Sequence, residues 1–536
     1  MSAFSEFCDE YFHRYFELNP TEAIHYGIDG YDHLLKDYGD ASYAEEKTFA
    51  QASLRKLRDV SVKGLGADEL IDYALVEGRL TIENYELNKE DYRLKSPEVY
   101  LPVSDVYILT VRPTNNFKGN LLSRLEFFPR NINQGIGNLS RSEANPPRLW
   151  TEMAAEAARG AVSFLAGLPQ HPKVQSAGID PVLLGSIIER AKDSVEMYRD
   201  FLTRDLLPRS NGSYPVGPEH YHLLLKKRHF LSIDAEQLLK MGEELFTRTR
   251  AELGEAAERL APGKNIEEVA QAIQQNHPAP EELLPAYRKA MEAARAFVAE
   301  KGLVSFPPRE QLRVVATPEF RRHEIPFAAY LSPSPKDPEQ AGYYYLTPAE
   351  SEDLLREHNR TGLENTSVHE SYPGHHLQFT VANSIPEART LPRLMNESSV
   401  FYEGWALYCE QLMLEEGFLR TEEHRFVMLK DRLWRALRII IDVKTQTGRM
   451  SYEEAAELMV RELHFPEEQA RADLNWYSQA PAVPMGYALG WSIINRLRDR
   501  ETQRLGARFT LREFHDRLLS AGSISLPLVE KRHFSS

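Results

Sequence analysis

His369-Glu370-Ser371-Tyr372-Pro373-Gly374-His375-His376 sets a His-Glu pair a few residues ahead of a His-His pair. Two histidines and a glutamate are the residue types of a zinc peptidase helix, where the histidines hold the metal and the glutamate works on a water. The ordinary motif is H-E-x-x-H, and position 373, where its second histidine would stand, carries Pro. On a regular helix His375 would lie about 240° around the axis from His369, and His376 about 10 Å along it. Ligands bonded to one zinc at about 2.0–2.1 Å cannot be spread that widely. The intervening residues supply the remedy. Pro373 lacks the N–H that would bond residue 369, and its ring clashes with the same carbonyl. Gly374 accepts backbone angles closed to other residues. The segment is therefore predicted to bulge within the helix and bring His375 back beside His369, with His376 as the competing ligand.

A catalytic zinc needs a third protein ligand and an open position. Ser398-Ser399-Val400-Phe401-Tyr402-Glu403-Gly404-Trp405-Ala406-Leu407-Tyr408-Cys409-Glu410 reads as a helix with acids at 403 and 410. Glu403 stands 28 residues beyond His375, room for one helix to end and a neighbouring one to begin. It is assigned as the third ligand, with Gly404 allowing close packing beside it. Glu410, two turns on, suits orienting a histidine or bracing an arginine. Glu370 follows the first ligand and is the candidate general base, taking a proton from water and passing it to a leaving amine. Tyr487, in the Gly/Pro-bent stretch Pro484-Met485-Gly486-Tyr487, is the candidate donor to the developing oxyanion, ahead of Tyr477 and Gln479. It reads equally well as a core tyrosine. Arg435 and Arg438 read as balancing carboxylates such as Glu410 or as an anchor for a substrate carboxylate. His515 and His533 read as surface residues.

Around this centre the chain is mostly helical. Phe4, Phe7, Tyr11, Phe12 and Tyr15 recur at helical spacing, and similar patterns run over about 43–59, 67–87, 148–167, 180–206, 234–260, 265–275 and 280–302. Between about 310 and 347 the pattern changes to short β-rich runs, Leu312–Thr317, Phe327–Leu331 and Gly342–Leu346, predicted to form a small antiparallel sheet just before the motif. With no linker or repeat in view, residues 1–536 are expected to form a single peptidase-like domain: a helical lobe (1–310), the sheet (311–347), and the metal-site helices with a C-terminal lobe (348–536).

The net charge of −15 leaves no basic stripe for phosphates and argues against nucleic acid. Two cysteines, Cys8 and Cys409, exclude a disulfide framework and a cysteine-based zinc site. The N-terminal stretch lacks a basic region followed by an apolar core, and no apolar run is long enough to span a bilayer, so no membrane partner is expected and a reducing cytoplasm is the expected compartment.

The sequence resembles the bacterial family catalogued as domain of unknown function 885. The resemblance rests on His369-Glu370…Pro373-Gly374-His375-His376 and Glu403-Gly404-Trp405-Ala406. It extends to Asn19-Pro20-Thr21-Glu22-Ala23, Gly27-Ile28-Asp29-Gly30-Tyr31-Asp32 and Phe514-His515-Asp516-Arg517-Leu518-Leu519, nearly the full length. The order of strand, HE…GH helix, Glu helix and late tyrosine is also similar to helical zinc peptidases of the thimet oligopeptidase, angiotensin-converting enzyme and thermostable carboxypeptidase type. That similarity implies a two-lobed helical clamshell, favours His375 over His376, and implies a peptide pairing with an edge strand near Tyr343–Tyr345. Two departures stand out. The family's Asp-Thr-Gly-x-His is here Asp442-Val443-Lys444-Thr445-Gln446, and its late Pro-Gly-Gln-Ala is replaced by Ala482-Val483-Pro484.

The expected protein is a mainly α, zinc-dependent metallopeptidase that hydrolyses short peptides with one Zn²⁺ per chain. The alternatives are a zinc hydrolase of a non-standard amide or modified peptide, and a zinc-holding, non-catalytic binding protein.

Overall fold

The aromatic spacing at the N-terminus becomes helix α1 (Ala3–Leu18), which buries Phe4, Phe7, Tyr11, Phe12, Tyr15 and Phe16 on one face. Ser2 caps it, its hydroxyl accepting from the Ser5 amide. The same logic, apolar residues at three- and four-residue spacing, builds most of the chain. The computed structural model describes residues 2–534 apart from 323, 324, 326 and 350. Over those residues the fold is mainly α with one three-stranded sheet, and no helix is long and apolar enough to cross a membrane. The chain divides into two compact units: Met1–Tyr214 with Pro318–Glu324 and Ser334–Asp337, and Pro215–Thr317 with Ile325–Pro333 and Pro338–Ser536.

In the first unit α1 is followed by α2 (Asp40–Asp59), α3 (Ala67–Lys89), α4 (Phe117–Leu139), α5 (Arg148–Gly167) and α6 (Pro181–Phe201). Helix α4 has no counterpart in the periodicity, because Pro129 stands inside it among several Asn and Gly residues. Packing explains one of those glycines: a Cβ on Gly135 would meet the Tyr100 ring at 2.6 Å.

The second unit contains α7 (Ala235–Leu260), α8 (Leu283–Lys301) and the sheet strands β1 (Gln311–Ala316), β2 (Ala328–Leu331) and β3 (Ala341–Leu346). The metal-site helices follow: α9 (Arg360–Glu370), α10 (His375–Ser384), α11 (Ser399–Glu415), α12 (Glu422–Gln446), α13 (Glu467–Gln479) and α14 (Gly486–Leu505). Helix α12 lies against α7, where Gly242 admits Ile439 at a distance that a Cβ would fill.

The sheet is mixed, not antiparallel as predicted. Its order is β1-β3-β2, with β1 parallel to β3 (Gln311 opposite Ala341) and β2 antiparallel to it (Ala328 opposite Leu346). The long connection from β1 to β3 makes this possible, since it carries the chain back to start β3 alongside the start of β1. All six residues of β3 are buried, and both its ladder edges are taken. Tyr343–Tyr345 therefore cannot receive a peptide strand; the edge strands are β1 and β2.

Candidate metal centre

Helix α9 ends at Glu370 and α10 begins at His375, so the predicted bulge within one helix is a complete break into two. The Tyr372–Pro373 bond is cis. The Gly374 amide donates to the Val368 carbonyl at 3.2 Å, turning the backbone directly onto the end of α9. A Cβ on Gly374 would stand 1.9 Å from the His369 carbonyl oxygen and 2.4 Å from that of Val368. Only glycine fits, and the reason is close approach, not a left-handed backbone. From the neighbouring helix the Trp405 indole donates to the Pro373 carbonyl at 2.9 Å.

The break brings the two histidines together. The His369 and His375 rings are 4.8 Å apart and perpendicular. Glu403 Oε2 lies 3.5 Å from His369 Nε2 and 3.3 Å from His375 Nε2, and all three side chains are buried. Nitrogen and oxygen ligands held tetrahedrally at about 2.0–2.2 Å from one zinc are themselves separated by about 3.3–3.5 Å. The two spacings to Glu403 Oε2 match. Glu403 Oε2 is also a buried acceptor with no hydrogen-bond donor, a position a cation satisfies. These three are the group of metal-binding type found among the described residues. His376 is outside it: its Nδ1 accepts from the Tyr330 hydroxyl at 3.0 Å, and its Nε2–H donates to Glu310 at 3.1 Å. Arg295 and the Tyr372 hydroxyl also bind Glu310.

Glu410 orients the first histidine. His369 Nδ1–H donates to Glu410 Oε1 at 2.7 Å, which leaves Nε2, the atom facing Glu403, as the nitrogen that can serve as ligand once it gives up its proton. The Asn365 amide bridges the other Glu410 oxygen (2.9 Å) and Asp431 (2.8 Å). Arg435 pairs with Asp431 and Arg438 approaches Asp473, so the carboxylates nearest these arginines are those two and not Glu410. Burial pulls His369 down, but Glu403 and Glu410 outweigh it and hold the imidazole up at about 9. Burial pushes Glu403 up, and the two imidazoles more than reverse this, holding its carboxyl well below the usual range.

Glu370 is buried at the end of α9, and burial raises its pKa above that of an ordinary glutamate despite the nearby His369 and His375. Tyr487 is brought in by the crossing of α11 and α14. A Cβ on Gly486 would strike the Ser399 hydroxyl at 2.2 Å, so the first turn of α14 rests on the first turn of α11. The Tyr487 ring stacks 6.1 Å from that of His369, and burial pushes its hydroxyl well above the usual range. Tyr477 is committed elsewhere, its oxygen accepting from Arg438 Nε at 2.6 Å and its hydroxyl facing Asp473 at 3.3 Å.

The contacts made by Asp442 and Gln446 escape the sequence reading. Asp442 is fully buried and accepts from the Tyr221 hydroxyl (2.8 Å) and the Ala482 amide (3.2 Å). It thereby holds the loop into α14, where Ala482 takes φ 63°. Gln446, at the place of the missing family histidine, donates to the Tyr477 carbonyl at 2.8 Å. His515 corrects the surface expectation. It is completely buried, donating to the Leu303 carbonyl and accepting from the Tyr408 hydroxyl, both at 2.8 Å. Its place between Phe514 and a charged run gave no sign of this.

No curated protein matches the sequence. Among solved structures, a candidate lipoprotein of unknown function from Shewanella oneidensis superposes with a TM-score of 0.79 at 23% identity over 100% of both chains. A candidate lipoprotein from Colwellia psychrerythraea gives 0.83 at 17% identity over 99% of each. Metallocarboxypeptidase 1 of Trypanosoma cruzi gives 0.40 at 13% identity, covering 99% of this chain and 95% of its own. The family model described as bacterial protein of unknown function (DUF885) matches residues 20–532, and the chain belongs to that family.

Proposed function

We propose that the protein is a zinc-dependent peptidase acting on short peptides, with one zinc per chain held by His369, His375 and Glu403. The observation that carries this reading is the ligand spacing: three buried donors from three helices, separated by 3.3 and 3.5 Å about Glu403 Oε2. When bound, zinc supplies a Lewis acid that polarises a carbonyl and makes water a nucleophile near neutral pH. The remaining steps belong to the chain. Glu370, kept basic enough by burial, takes a proton as the water oxygen bonds to the carbonyl carbon, and delivers it to the amine as the C–N bond breaks. Tyr487 stays protonated and donates to the oxygen that gains charge. Strand β2 is the edge strand beside the site, with the Tyr330 ring 6.0 Å from that of His375, and a peptide backbone adds along it.

Zinc content of the wild type beside His375→Ala and His376→Ala tests the metal set. The expected result is about one zinc per chain, lost with His375 and kept with His376; full zinc without His375 removes the proposed set. A peptide library then separates an enzyme from a zinc-holding binder. Glu370→Gln should keep zinc and lose turnover, and modified peptides in the same library test the non-standard amide reading. Compartment is a separate proposal: Cys8 and Cys409 are free thiols, suited to the cytoplasm, whereas the names of two structural relatives point to a lipid-anchored location. Fractionation of the source cells decides between them.

A further inference from the structure

Arg435 and Arg438 stand one turn apart on α12 and both reach the ring of Tyr487. Their guanidinium carbons lie 6.0 and 4.5 Å from its centroid. Tyr487 in turn stacks beside His369, so two cations sit within one side chain of the candidate metal ligands.

Their compensation is incomplete. Arg438 is 5% exposed. Its Nε donates to Tyr477, its Nη2 lies 3.9 Å from Asp473 Oδ1, beyond hydrogen-bonding distance, and its Nη1 is buried with no partner. Arg435 holds Asp431 loosely, Nη1 lying 3.4 Å from both the carboxylate and the carbonyl oxygen, and its Nε is buried without a partner. An arginine placed only for packing would turn its fork onto the nearest carboxylate. Asp473 is close enough to take it and does not. Burial pushes Asp473 up towards its neutral form, which weakens it further as a counter-ion. The aromatic faces of Trp434, 4.1 Å from both guanidinium carbons, hold the two side chains in place without occupying their N–H donors.

We propose that Arg435 and Arg438 recognise the free α-carboxylate at the C-terminus of the substrate, so that the enzyme cuts peptides from their carboxyl end. The proposal rests on the peptidase reading of the same site and specifies its substrate class. A carboxylate matches the planar, two-pronged donor set that an arginine presents. The steps of 6.1 Å from the His369 ring to that of Tyr487 and 4.5 Å on to the Arg438 guanidinium are together no longer than about three extended residues at about 3.3–3.6 Å each. Peptides ending in an amide offer these cations no charge and leave the same donors open.

The test uses zinc-loaded Glu370→Gln protein, immobilised, and two pools of N-acetyl dipeptides identical except that one ends in free acids and the other in amides. The acid pool should be retained at least about tenfold more strongly. In Arg438→Met, and in Arg435→Met should the first variant not fold, the ratio should fall towards one. Equal retention of acids and amides overturns the proposal, as does selectivity that survives both substitutions. The peptidase reading fails differently. Selective retention of acids, with no pool peptide hydrolysed by the wild-type protein, leaves a carboxylate-binding site without a peptidase. Hydrolysis of acids and amides at equal rates leaves the peptidase and removes the carboxylate site. Neither retention nor hydrolysis removes both.

Discussion

Gly404 and Gly490 face each other across the crossing of α11 and α14: a Cβ on Gly404 would stand 2.4 Å from the Gly490 Cα, and one on Gly490 would stand 1.8 Å from the Val400 carbonyl oxygen. Glu403 is the neighbour of the first glycine, and Tyr487 lies one turn before the second. Backbone contact at this crossing is what puts a candidate ligand and a candidate oxyanion donor on the same site.

Gly490→Ala should therefore be costly. The obstructing atoms are backbone and cannot swing aside, so the helices must part, and overpacking of this kind costs about 1–3 kcal/mol or more. Thermal midpoint and zinc retention should both fall. Gly185→Ala, in the interior of α6 with nothing within 4 Å of the added Cβ, is the control and should stabilise by about 0.5–1 kcal/mol. A Gly490→Ala protein as stable as wild type, with full zinc, would show that the contact is not needed.

Glu410→Gln should weaken zinc binding about 10–100-fold without unfolding the protein. Glutamine can still accept from His369 Nδ1–H, but it carries no charge, and its amide hydrogens meet the Asn365 amide that now donates to Glu410. Competition against a chelator of known affinity measures the change. Unchanged affinity would reduce Glu410 to a buried acid with no role in orienting the ligand.

Zinc uptake should release a proton at neutral pH. In the metal-free protein His369 is held up at about 9, so at pH 7 its imidazole is charged, and a ligand must be neutral. From this group alone, apparent affinity should rise about tenfold per pH unit up to about pH 9 and then level off. Calorimetry in buffers of different ionisation enthalpy counts the protons. Uptake with no proton release at pH 7 would contradict the charged state of His369.

The parts of the site legible in the sequence are those where residue type states the chemistry. A His-Glu pair, a His after Pro-Gly, and a Glu beside a Gly name a metal set from residue identity and spacing alone. What Pro373 and Gly374 do is readable only in kind. Their chemistry demands a deviation near residue 373, but whether the helix bulges or stops depends on how close the carbonyls of Val368 and His369 come to Gly374, which is a tertiary fact. Strand order is hidden for a similar reason: the β-rich pattern locates β3 without revealing that β1 flanks it in parallel. The burial of Asp442 and His515 escapes notice because a lone polar residue in a helix carries no mark of it. Their partners, Tyr221 and the Ala482 amide for one, Tyr408 and Leu303 for the other, lie 40 to 221 residues away.

Asp442 offers a test of that hidden layer through pH. Burial raises its carboxyl from 3.8 to about 7, against the opposing pull of the Tyr221 hydroxyl and the Ala482 amide. An acid with a raised folded-state pKa binds its proton more tightly in the folded chain than in the unfolded one. It is neutral in both states below about pH 4, so its cost to stability is absent there. Between about 4 and 7 the unfolded chain ionises first, and stability falls as pH rises, with the full cost present above about 7. Asp442→Asn keeps an oxygen for the Ala482 amide and removes the titration. The variant should gain stability relative to wild type as pH rises from about 4 to about 8, measured as the difference in thermal midpoint. Glu83, also raised to about 7 by burial, gives both proteins the same slope and cancels in the difference. A midpoint difference that stays flat across this range would mean that Asp442 is already ionised in the folded protein, and that the loop leading to Tyr487 is held by a charge.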